Sequence, residues 1–266
     1  MIKRWSLPPF CFIYGVYTFS FNYKAACSYL KGGPMYKRVL LKLSGEALSG
    51  ESEKGFSEQM LTYLVNEIKK IHSLNIKLGI VTGAGNIFRG KELKDFQIQM
   101  ADQLGMLGTV INSLYLKNLF EKNGLKSIIV SPIVNLPSVL PLKYDFIEQY
   151  FEAGYIVLFG GGTSNPLFTT DTAAALRAIE MNADILVKAT KVDGIYDKDP
   201  KLFEDAKKYN NITYEQAIKE QIKVMDTEAF SICEKNNLSI LIINFFKEGN
   251  LLKAVEGENI GTKVDH

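Results

Sequence analysis

The chain has 266 residues, a length that fits one large domain or two small ones with a substantial buried core. Hydrophobic residues make up 47% and charged residues 23%, as in soluble globular proteins, and the net charge of +2 argues against a nucleic-acid-binding or polybasic membrane protein. The three cysteines form no CxxC pair, which argues against a zinc site or a disulfide framework, so a cytoplasmic location is expected.

The first 34 residues differ in character from the rest. Residues 8–23 are aromatic and apolar and loosely resemble a signal peptide, but polar residues interrupt them and no convincing cleavage site follows. The stretch is also too short to span a membrane. We expect an N-terminal extension over residues 1–34, a true start at Met35 and a folded domain over residues 35–266. A genuine transit or anchor segment is the alternative.

A buried strand is predicted over residues 39–43, followed by a turn at Ser44 and Gly45. Lys42 lies at the end of this strand, where an ammonium group needs a partner, and a phosphate is a suitable one. A surface lysine on an edge strand is the alternative interpretation. Ser57 is predicted to cap the helix that follows.

A second strand over residues 76–81 leads into a glycine turn, Gly83 to Gly90, which contains Arg89. The guanidinium group of arginine offers a fixed fork of donors for phosphate oxygens. The turn contains G-x-G, but Phe88 stands where the dinucleotide-binding fingerprint requires its last glycine. This mismatch argues against a dehydrogenase.

A long helix is predicted over residues 100–120. Its apolar spacing predicts a buried stripe formed by Leu104, Leu107, Ile111 and Leu114. Asp102 near the start of the helix either interacts favourably with the helix dipole or accepts hydrogen bonds from ligand hydroxyls, and the dipole is the simpler interpretation of the sequence alone. A third strand at residues 127–131 and a helix at residues 144–152 follow.

The most informative stretch begins with an apolar strand over residues 156–159 and continues with Gly160 to Gly162. A polar turn follows, and Thr169 to Asp171 open a helix. Strand, glycine turn and helix start together suit an anion, because the free N–H groups of the turn and helix start can point at it. An ordinary turn between a strand and a helix is the alternative.

A further strand over residues 184–188 ends in Lys188 and leads into a loop rich in Asp, Lys and Gly, Ala189 to Pro200. Lysine, tyrosine and carboxylate are suited to the phosphate, base and ribose of a nucleotide, although an ordinary solvated loop is the alternative. Thr213 and Asp226 are predicted to cap helices, and a last strand at residues 239–244 precedes a helix at residues 249–256.

Strands alternate with helices from Lys37 onwards, which predicts an α/β fold with three αβα layers around a mostly parallel sheet. Ligands of such sheets bind beyond the carboxyl ends of the strands, where the flagged lysines and glycine turns should meet. Neither histidine, His72 in a helix or the terminal His266, is placed for catalysis. Phosphoryl transfer requires mainly charge neutralisation and alignment, which these groups can supply.

Six segments resemble the bacterial-type uridylate kinases of the amino acid kinase superfamily, over approximately residues 36–266. They are LLKLSGEAL (40–48), GAGNIFRG (83–90), DQLGMLGT (102–109), GTSNPLFTTD (162–171), VKATKVDGIYDKDP (187–200) and KVMD (223–226).

The resemblance implies an amino acid kinase-like fold and phosphoryl transfer from ATP to UMP, with Mg²⁺ carried by ATP rather than by direct protein ligands. It also implies a homohexamer, with no nucleic-acid or membrane partner. Lys42 and Lys188 would flank the transferred phosphoryl group, Asp171 would orient them, and Asp226 would lie near the metal and phosphates.

The resemblance also implies two sets of binding residues, and in it Asp102 faces the ribose of UMP. Those for ATP are Lys42, Leu43, Ser44, Gly45, Gly85, Arg89, Thr190, Tyr196 and Asp199. Those for UMP are Ala84, Asp102, Thr163, Ser164, Asn165, Pro166, Leu167, Phe168, Thr169 and Thr170.

Several positions depart from the family pattern. Ala84 and Ser164 replace common glycines and Leu167 a common phenylalanine. A positive φ at Ala84 would cost about 1 kcal/mol or more. Lys117 and Glu121 stand where some members carry Arg and His, which calls a response to GTP into question. The alternatives are a relative such as acetylglutamate kinase, against which the 162–170 loop argues, and a nucleotide sensor without turnover.

Overall fold

The apolar runs of the sequence form one nine-stranded sheet in this computed structural model, which describes residues 36–52, 54–88, 92–198, 200 and 202–266. The strands are β1 (Arg38–Leu43), β2 (Lys77–Thr82), β3 (Ser127–Ser131), β4 (Val139–Pro141), β5 (Ile156–Phe159), β6 (Ile185–Thr190), β7 (Asn211–Thr213), β8 (Ile240–Asn244) and β9 (Thr262–Asp265). The predictions for residues 1–34, Met35, Arg89 and Asp199 concern residues outside the described ranges.

The strands are arranged in the order β4-β3-β5-β2-β1-β6-β8-β9-β7. Every neighbouring pair is parallel except β8 and β9, which are antiparallel. The sheet is therefore mostly parallel, as predicted, and β1 lies near its middle between β2 and β6.

The helices of the described residues cover both faces of the sheet. They are α1 (Glu46–Ser49), α2 (Glu58–His72), α3 (Ile98–Lys122), α4 (Tyr144–Glu152), α5 (Thr170–Glu180), α6 (Tyr214–Lys219), α7 (Thr227–Lys235) and α8 (Asn250–Val255). The predicted caps at Ser57, Thr213 and Asp226 are confirmed, because each side chain accepts a hydrogen bond from a backbone N–H in the first turn of its helix. Thr169 caps α5 in the same way. None of the described helices is long and apolar enough to cross a membrane.

Two hydrophobic cores lie on opposite faces of the sheet. Val39, Leu41 and Leu43 of β1 pack into the core shared with α2, α3 and α8, whereas Leu40 packs into the core shared with α4 to α7. Successive side chains of a strand point to opposite faces. Lys42 therefore shares a face with Leu40 and points towards α5.

The predicted buried stripe of α3 is wrong, because Leu107 and Ile111 are 43% and 44% exposed. The buried residues of α3 are instead Met106, Gly108, Thr109, Val110, Asn112, Ser113, Leu116 and Phe120. Four of these eight residues, Gly108, Thr109, Asn112 and Ser113, are small or polar, and they lie against the glycine turns that follow β2 and β5. Spacing by hydrophobicity alone could not identify this buried face.

Three short strands, β4, β7 and β9, were not predicted from the sequence. The last of them depends on a close backbone approach at Gly261, where a Cβ atom would lie 2.0 Å from the carbonyl oxygen of Ile242. Ile242 pairs with Thr262 in the β8–β9 ladder. Glycine at position 261 is thus a steric requirement for β9 to join the sheet.

Substituting Gly261→Ala is expected to lower the free energy of unfolding by about 1–3 kcal/mol or more, because the methyl group forces β9 away from β8. Chemical denaturation followed by circular dichroism measures this. Gly105→Ala on α3 is the control: its Cβ would meet no atom of the described residues within 4 Å outside its own helix. That variant should be as stable as the parent or more stable. Equal stability of the two variants would contradict the steric account.

Candidate active site

Two buried lysines share one carboxylate at the centre of the sheet. The Nζ atom of Lys42 lies 2.6 Å from Oδ1 of Asp171, and Nζ of Lys188 lies 2.5 Å from Oδ2. Lys42 is 7% and Lys188 8% exposed. The expectation that the two strand-end lysines converge on one site is therefore met, and Asp171 is the group that joins them.

Strand register explains this convergence. Lys42 and Lys188 are direct partners in the parallel β1–β6 ladder, so their side chains leave the sheet side by side on the same face. Asp171 is the second residue of α5, the helix that packs over this face. The side-chain oxygen of Thr169 accepts a hydrogen bond from the Asp171 N–H at 3.0 Å and so fixes the start of the helix above the lysines.

Burial and charge act in opposite directions at Asp171. Burial alone would raise the pKa of its carboxyl, but the charges of Lys42 and Lys188 outweigh this effect and lower the pKa. The pKa of Lys188 is lowered by burial and then by the charge of Lys42, against the opposing effect of Asp171. The cluster holds two cations and one anion, so it carries an excess positive charge that an anionic ligand would neutralise.

Asp226 connects the starts of two helices beside the lysines. Its carboxylate accepts a hydrogen bond from the N–H of Ala229 at 2.8 Å, which caps α7. It also accepts hydrogen bonds from the hydroxyls of Thr169 and Thr172 on α5. The ammonium of Lys188 donates to the carbonyl of Val224, two residues before Asp226. Asp226 therefore lies close to the lysine cluster, with its carboxylate engaged in joining α5 to α7.

The turns after β1 and β2 approach each other so closely that only glycine fits. A Cβ atom at Gly45 would lie 2.6 Å from the amide nitrogens of both Gly85 and Asn86, and one at Gly83 would lie 3.2 Å from the amide nitrogen of Gly45. The predicted residues 42–45 and Gly85 thus meet in space. Leu43 is buried in the opposite core, so its contribution to a ligand would come from its backbone. Backbone N–H groups gathered in this way form an anion-binding concavity.

Helix α3 holds the turns after β2 and β5 through residues that the sequence interpretation missed. The side-chain amide of Asn112 donates to the carbonyl of Gly83 at 2.8 Å, and the hydroxyl oxygen of Thr109 accepts from the N–H of Gly161 at 2.8 Å. A Cβ at Gly108 would lie 2.8 Å from the methyl group of Ala84. The sequence carried one signal, namely polar and small residues at helical spacing within an otherwise apolar helix.

A cavity of about 200 Å³ opens beside the glycine turns. It is lined by Ala84, Gly85, Phe88, Ala101, Asp102, Gly105, Met106, Gly162, Phe168, Thr169 and Thr170. Five residues predicted to bind the acceptor are therefore brought together here. Residues 163–167 form the loop next to the cavity without lining it.

Asp102 contacts this loop instead of stabilising a helix start. Its Oδ2 atom accepts a hydrogen bond from the N–H of Leu167 at 2.7 Å, and the helix begins four residues earlier, at Ile98. Thr163 closes the loop internally by donating its hydroxyl to the carbonyl of Asn165 at 2.8 Å. The dipole interpretation of Asp102 is therefore replaced by a contact with the loop.

The loop stores backbone strain where residues other than glycine occupy left-handed positions. Ser164 has a φ of 72° and Leu167 a φ of 74°, conformations that favour glycine. Ala84, in contrast, is not among the positive-φ residues, and its methyl group fits because Gly108 has no side chain. The strain anticipated at Ala84 is thus found at Ser164 and Leu167 instead.

The loop after β6 is shaped by its own hydrogen bonds. The hydroxyl of Thr190 donates to the carbonyls of Val192 and Ile243, at 2.7 Å and 3.1 Å. The hydroxyl of Tyr196 donates to Asp193 at 2.7 Å, a bond that raises the pKa of Tyr196. The predicted nucleoside-binding residues Thr190 and Tyr196 therefore lie on one ordered loop.

A larger cleft of about 600 Å³ borders the loop after β6, because Lys191 follows Thr190 and Asn244 is the β8 partner of Thr190. None of the predicted site residues is among its lining residues. Its walls are formed by Gly50, Glu51, Ser52, Ser57, Gln59, Met60, Lys191, Asn244 and Phe246. No group of three or more His, Cys, Asp or Glu side chains in the described ranges is arranged to hold a metal ion.

Comparison with known proteins identifies the family. Residues 37–244 match the model of the amino acid kinase family. The uridylate kinase of Thermosipho melanesiensis is 63% identical over 230 residues, which are 86% of this chain and 99% of that protein. The uridylate kinase of Fervidobacterium nodosum is 64% identical over 86% of this chain and 98% of that protein. The chain belongs to the uridylate kinases of the amino acid kinase family.

The fold agrees with this membership. The crystal structure of the UMP kinase from Bacillus anthracis superposes with a TM-score of 0.85 at 36% identity, covering 87% of this chain and 97% of that one. The αβα architecture predicted from the sequence is therefore confirmed. Lys117 and Glu121, which depart from some family members, form an ion pair with each other on α3.

Replacing Asp171 by asparagine should lower the free energy of unfolding by about 3–5 kcal/mol, because it leaves two buried ammonium groups without their shared partner. Thermal denaturation at neutral pH measures this loss. ATP with Mg²⁺ should raise the Tm of the variant more than that of the parent, because its phosphates replace the missing negative charge. The control Asp145→Asn changes an exposed carboxylate on α4 and should cost at most about 1 kcal/mol.

The pH dependence of this effect has a definite sign. The pKa of Asp171 is lowered in the folded protein, so its carboxylate stabilises the fold above the unfolded pKa of about 4 and loses this effect as the pH falls through the folded pKa. The difference in stability between parent and Asp171→Asn should therefore shrink on acidification below about pH 4. A difference that grows in acid would contradict the assigned role of the carboxylate.

Proposed function

We propose that this protein is a UMP kinase, which transfers the terminal phosphoryl group of ATP to UMP and yields UDP and ADP in pyrimidine nucleotide biosynthesis. The observation that carries the proposal is the pair of buried lysines on one carboxylate, adjacent to a concavity of glycine backbone. The uridylate kinases that match the chain over nearly their whole length support the choice of substrates.

The chemistry follows from the charges at the ends of β1 and β6. Lys42 and Lys188 would flank the transferred phosphoryl group and stabilise the negative charge that spreads over its oxygens in the transition state. Asp171 would keep both ammonium groups oriented, at distances of 2.6 Å and 2.5 Å before the phosphates bind. Phosphoryl transfer needs little covalent participation by the protein, so alignment and charge are sufficient.

The two substrates would approach this centre from different sides. ATP phosphates would lie on residues 42–45, Gly85 and Arg89, with the adenosine on Thr190, Tyr196 and Asp199. UMP would occupy the cavity between Asp102 and the 163–170 loop. The close approach of Gly45 to Gly85, and the lining of the cavity by Ala84, Asp102 and Phe168 to Thr170, support this division.

Mg²⁺ fits the donor atoms of the site as an ion carried by ATP. It prefers oxygen ligands and usually keeps phosphate and water oxygens in its coordination shell. The carboxylates of Asp171 and Asp226 both act electrostatically on Lys188. We assign Asp226 to the metal–phosphate side of the centre, where it would act through its charge, since its oxygens accept hydrogen bonds from Ala229, Thr169 and Thr172.

The proposed reaction is tested by measuring ADP release from ATP with UMP, CMP, dCMP or acetylglutamate offered separately. We expect UMP to be the preferred acceptor. Preference for acetylglutamate would indicate a different member of the superfamily, and tight UMP binding without ADP release would indicate a nucleotide sensor. Either outcome would contradict the proposal.

Lys188→Met keeps the length of the side chain and removes its charge. Turnover should fall by about 10²-fold or more, because one of the two cations that stabilise the transition state is lost. UMP affinity, measured by calorimetry, should change little, since Lys188 does not line the acceptor cavity. Parent-like turnover would refute the role assigned to this lysine.

We propose that the protein assembles as a cytoplasmic homohexamer. Support comes from one face of α3, where Leu107, Ile111 and Tyr115 lie at four-residue spacing and are 43%, 44% and 42% exposed. Phe56 stacks on Tyr115 with ring centroids 3.7 Å apart and extends this apolar surface. An apolar stripe of this kind on a helix favours contact with another protein surface.

Light scattering coupled to size exclusion should therefore give a particle of hexamer mass. Ile111→Glu should shift the protein to smaller species, because it places a charge within the apolar α3 surface. Leu202→Glu introduces the same charge at a position that is 75% exposed and distant in sequence, and should leave the mass unchanged. A monomeric parent would contradict the assembly without affecting the proposed reaction.

A further inference from the structure

Helix α3 contacts both glycine turns of the site through two buried polar side chains that the proposed function does not use. We infer that Thr109 and Asn112 are positioning residues, Thr109 for the acceptor turn at Gly160 to Gly162 and Asn112 for the donor-phosphate turn at Gly83 to Asn86. The inference rests on the proposed function, which places Gly85 on the ATP phosphates. Gly162 lines the acceptor cavity, and so does Ala84, which belongs to the same turn as Gly85.

Asn112 is fully buried and makes hydrogen bonds with its whole amide group. Its nitrogen donates to the carbonyl of Gly83 at 2.8 Å and to Oδ1 of Asn86 at 2.8 Å, while its oxygen accepts from Nδ2 of Asn86 at 2.9 Å. Asn86 is also buried, and its Nδ2 donates to the carbonyl of Gly55 at 3.1 Å. The two amides thus lock both ends of the turn that approaches Gly45.

Thr109, three residues before Asn112 on α3, holds the turn at Gly160 to Gly162. Its hydroxyl donates to the carbonyl of Met106 at 2.7 Å, which leaves its oxygen directed to accept from the N–H of Gly161 at 2.8 Å. Gly161 has a φ of 94°, and a Cβ there would lie 2.7 Å from Oγ of Ser131. The backbone at this turn is therefore confined on one side by β3 and held on the other by Thr109.

One helix face consequently fixes the spacing between the two turns. Thr109 and Asn112 are three residues apart and so lie on the same side of α3. Transfer between two bound phosphates depends on their alignment, and small displacements of a positioned group lower the rate strongly. A purely structural pair of hydrogen bonds would affect stability, whereas a positioning pair would affect the two substrates differently.

The test compares KM and calorimetric affinity for UMP and for ATP with Mg²⁺ in variants of the full chain. Thr109→Val removes the oxygen that accepts the hydrogen bond from Gly161, at nearly constant side-chain volume. The affinity for UMP should fall by about fivefold or more, whereas the affinity for ATP should change by less than about twofold. Asn112→Ala should weaken ATP binding by about fivefold or more and UMP binding to a smaller extent, because Ala84 of the same turn lines the acceptor cavity. Thr109→Ser keeps the acceptor and should restore parent-like UMP binding.

Ser113→Ala is the matched control. Ser113 is buried on the same helix, and its hydroxyl donates to the carbonyl of Thr109 within α3 at 2.9 Å. Removing the Ser113 hydroxyl should change Tm but should not change the affinity for UMP relative to the affinity for ATP. If Asn112→Ala does not fold, Asn112→Asp is measured in the same way, since it keeps the acceptor for Asn86 and loses the amide donor to Gly83.

The outcomes separate this inference from the proposed function. Equal weakening of both substrates, or a change in Tm alone, in a parent protein that turns over ATP and UMP would overturn the positioning roles and leave the reaction intact. A parent without turnover would contradict the reaction, and the calorimetric affinities would still test the positioning roles. A parent that binds neither nucleotide would overturn both.

Discussion

The structure depends on a single buried carboxylate shared by two buried ammonium groups. Lys42 and Lys188 are only 7% and 8% exposed, and Asp171 gives both ammonium groups a partner, at 2.6 Å and 2.5 Å. Their charges in turn lower the pKa of Asp171 against the opposing effect of its burial. The interaction requires three elements at once, because β1 and β6 must be neighbours in register and α5 must start directly above them. The central strand order of the sheet and the chemistry of the site are therefore one constraint.

Around this centre, helix α3 has two faces with different tasks. Its inner face carries small or polar residues at Gly108, Thr109, Asn112 and Ser113, where the glycine turns lie close to it, and apolar residues elsewhere. Its outer face is apolar and exposed at Leu107, Ile111 and Tyr115. The usual amphipathic arrangement is thus partly reversed. A helix of this kind connects an exposed apolar surface with the glycine turns beside the lysine cluster.

The loop at residues 163–167 shows where the fold tolerates backbone strain. Ser164 and Leu167 occupy left-handed conformations at a cost of about 1–2 kcal/mol each, and the loop is held by hydrogen bonds to Asp102 and within itself through Thr163. Such strain persists only where neighbouring contacts determine the backbone. Ala84 needs no such strain. Its methyl group fits because the facing residue, Gly108, has no side chain.

The sequence by itself determined the mostly parallel α/β architecture, the caps at Ser57, Thr213 and Asp226, and the meeting of Lys42 and Lys188, because these follow from local patterns and from the geometry of parallel strands. Only the tertiary structure decided which face of α3 is buried, since Thr109 and Asn112 are satisfied by distant backbone atoms that no local pattern reveals. The same holds for β9, whose pairing depends on a contact between Gly261 and Ile242, and for the strain at Ser164 and Leu167. Local periodicity records which side chains are apolar, whereas the position of a turn or an edge strand depends on atoms far away in the chain.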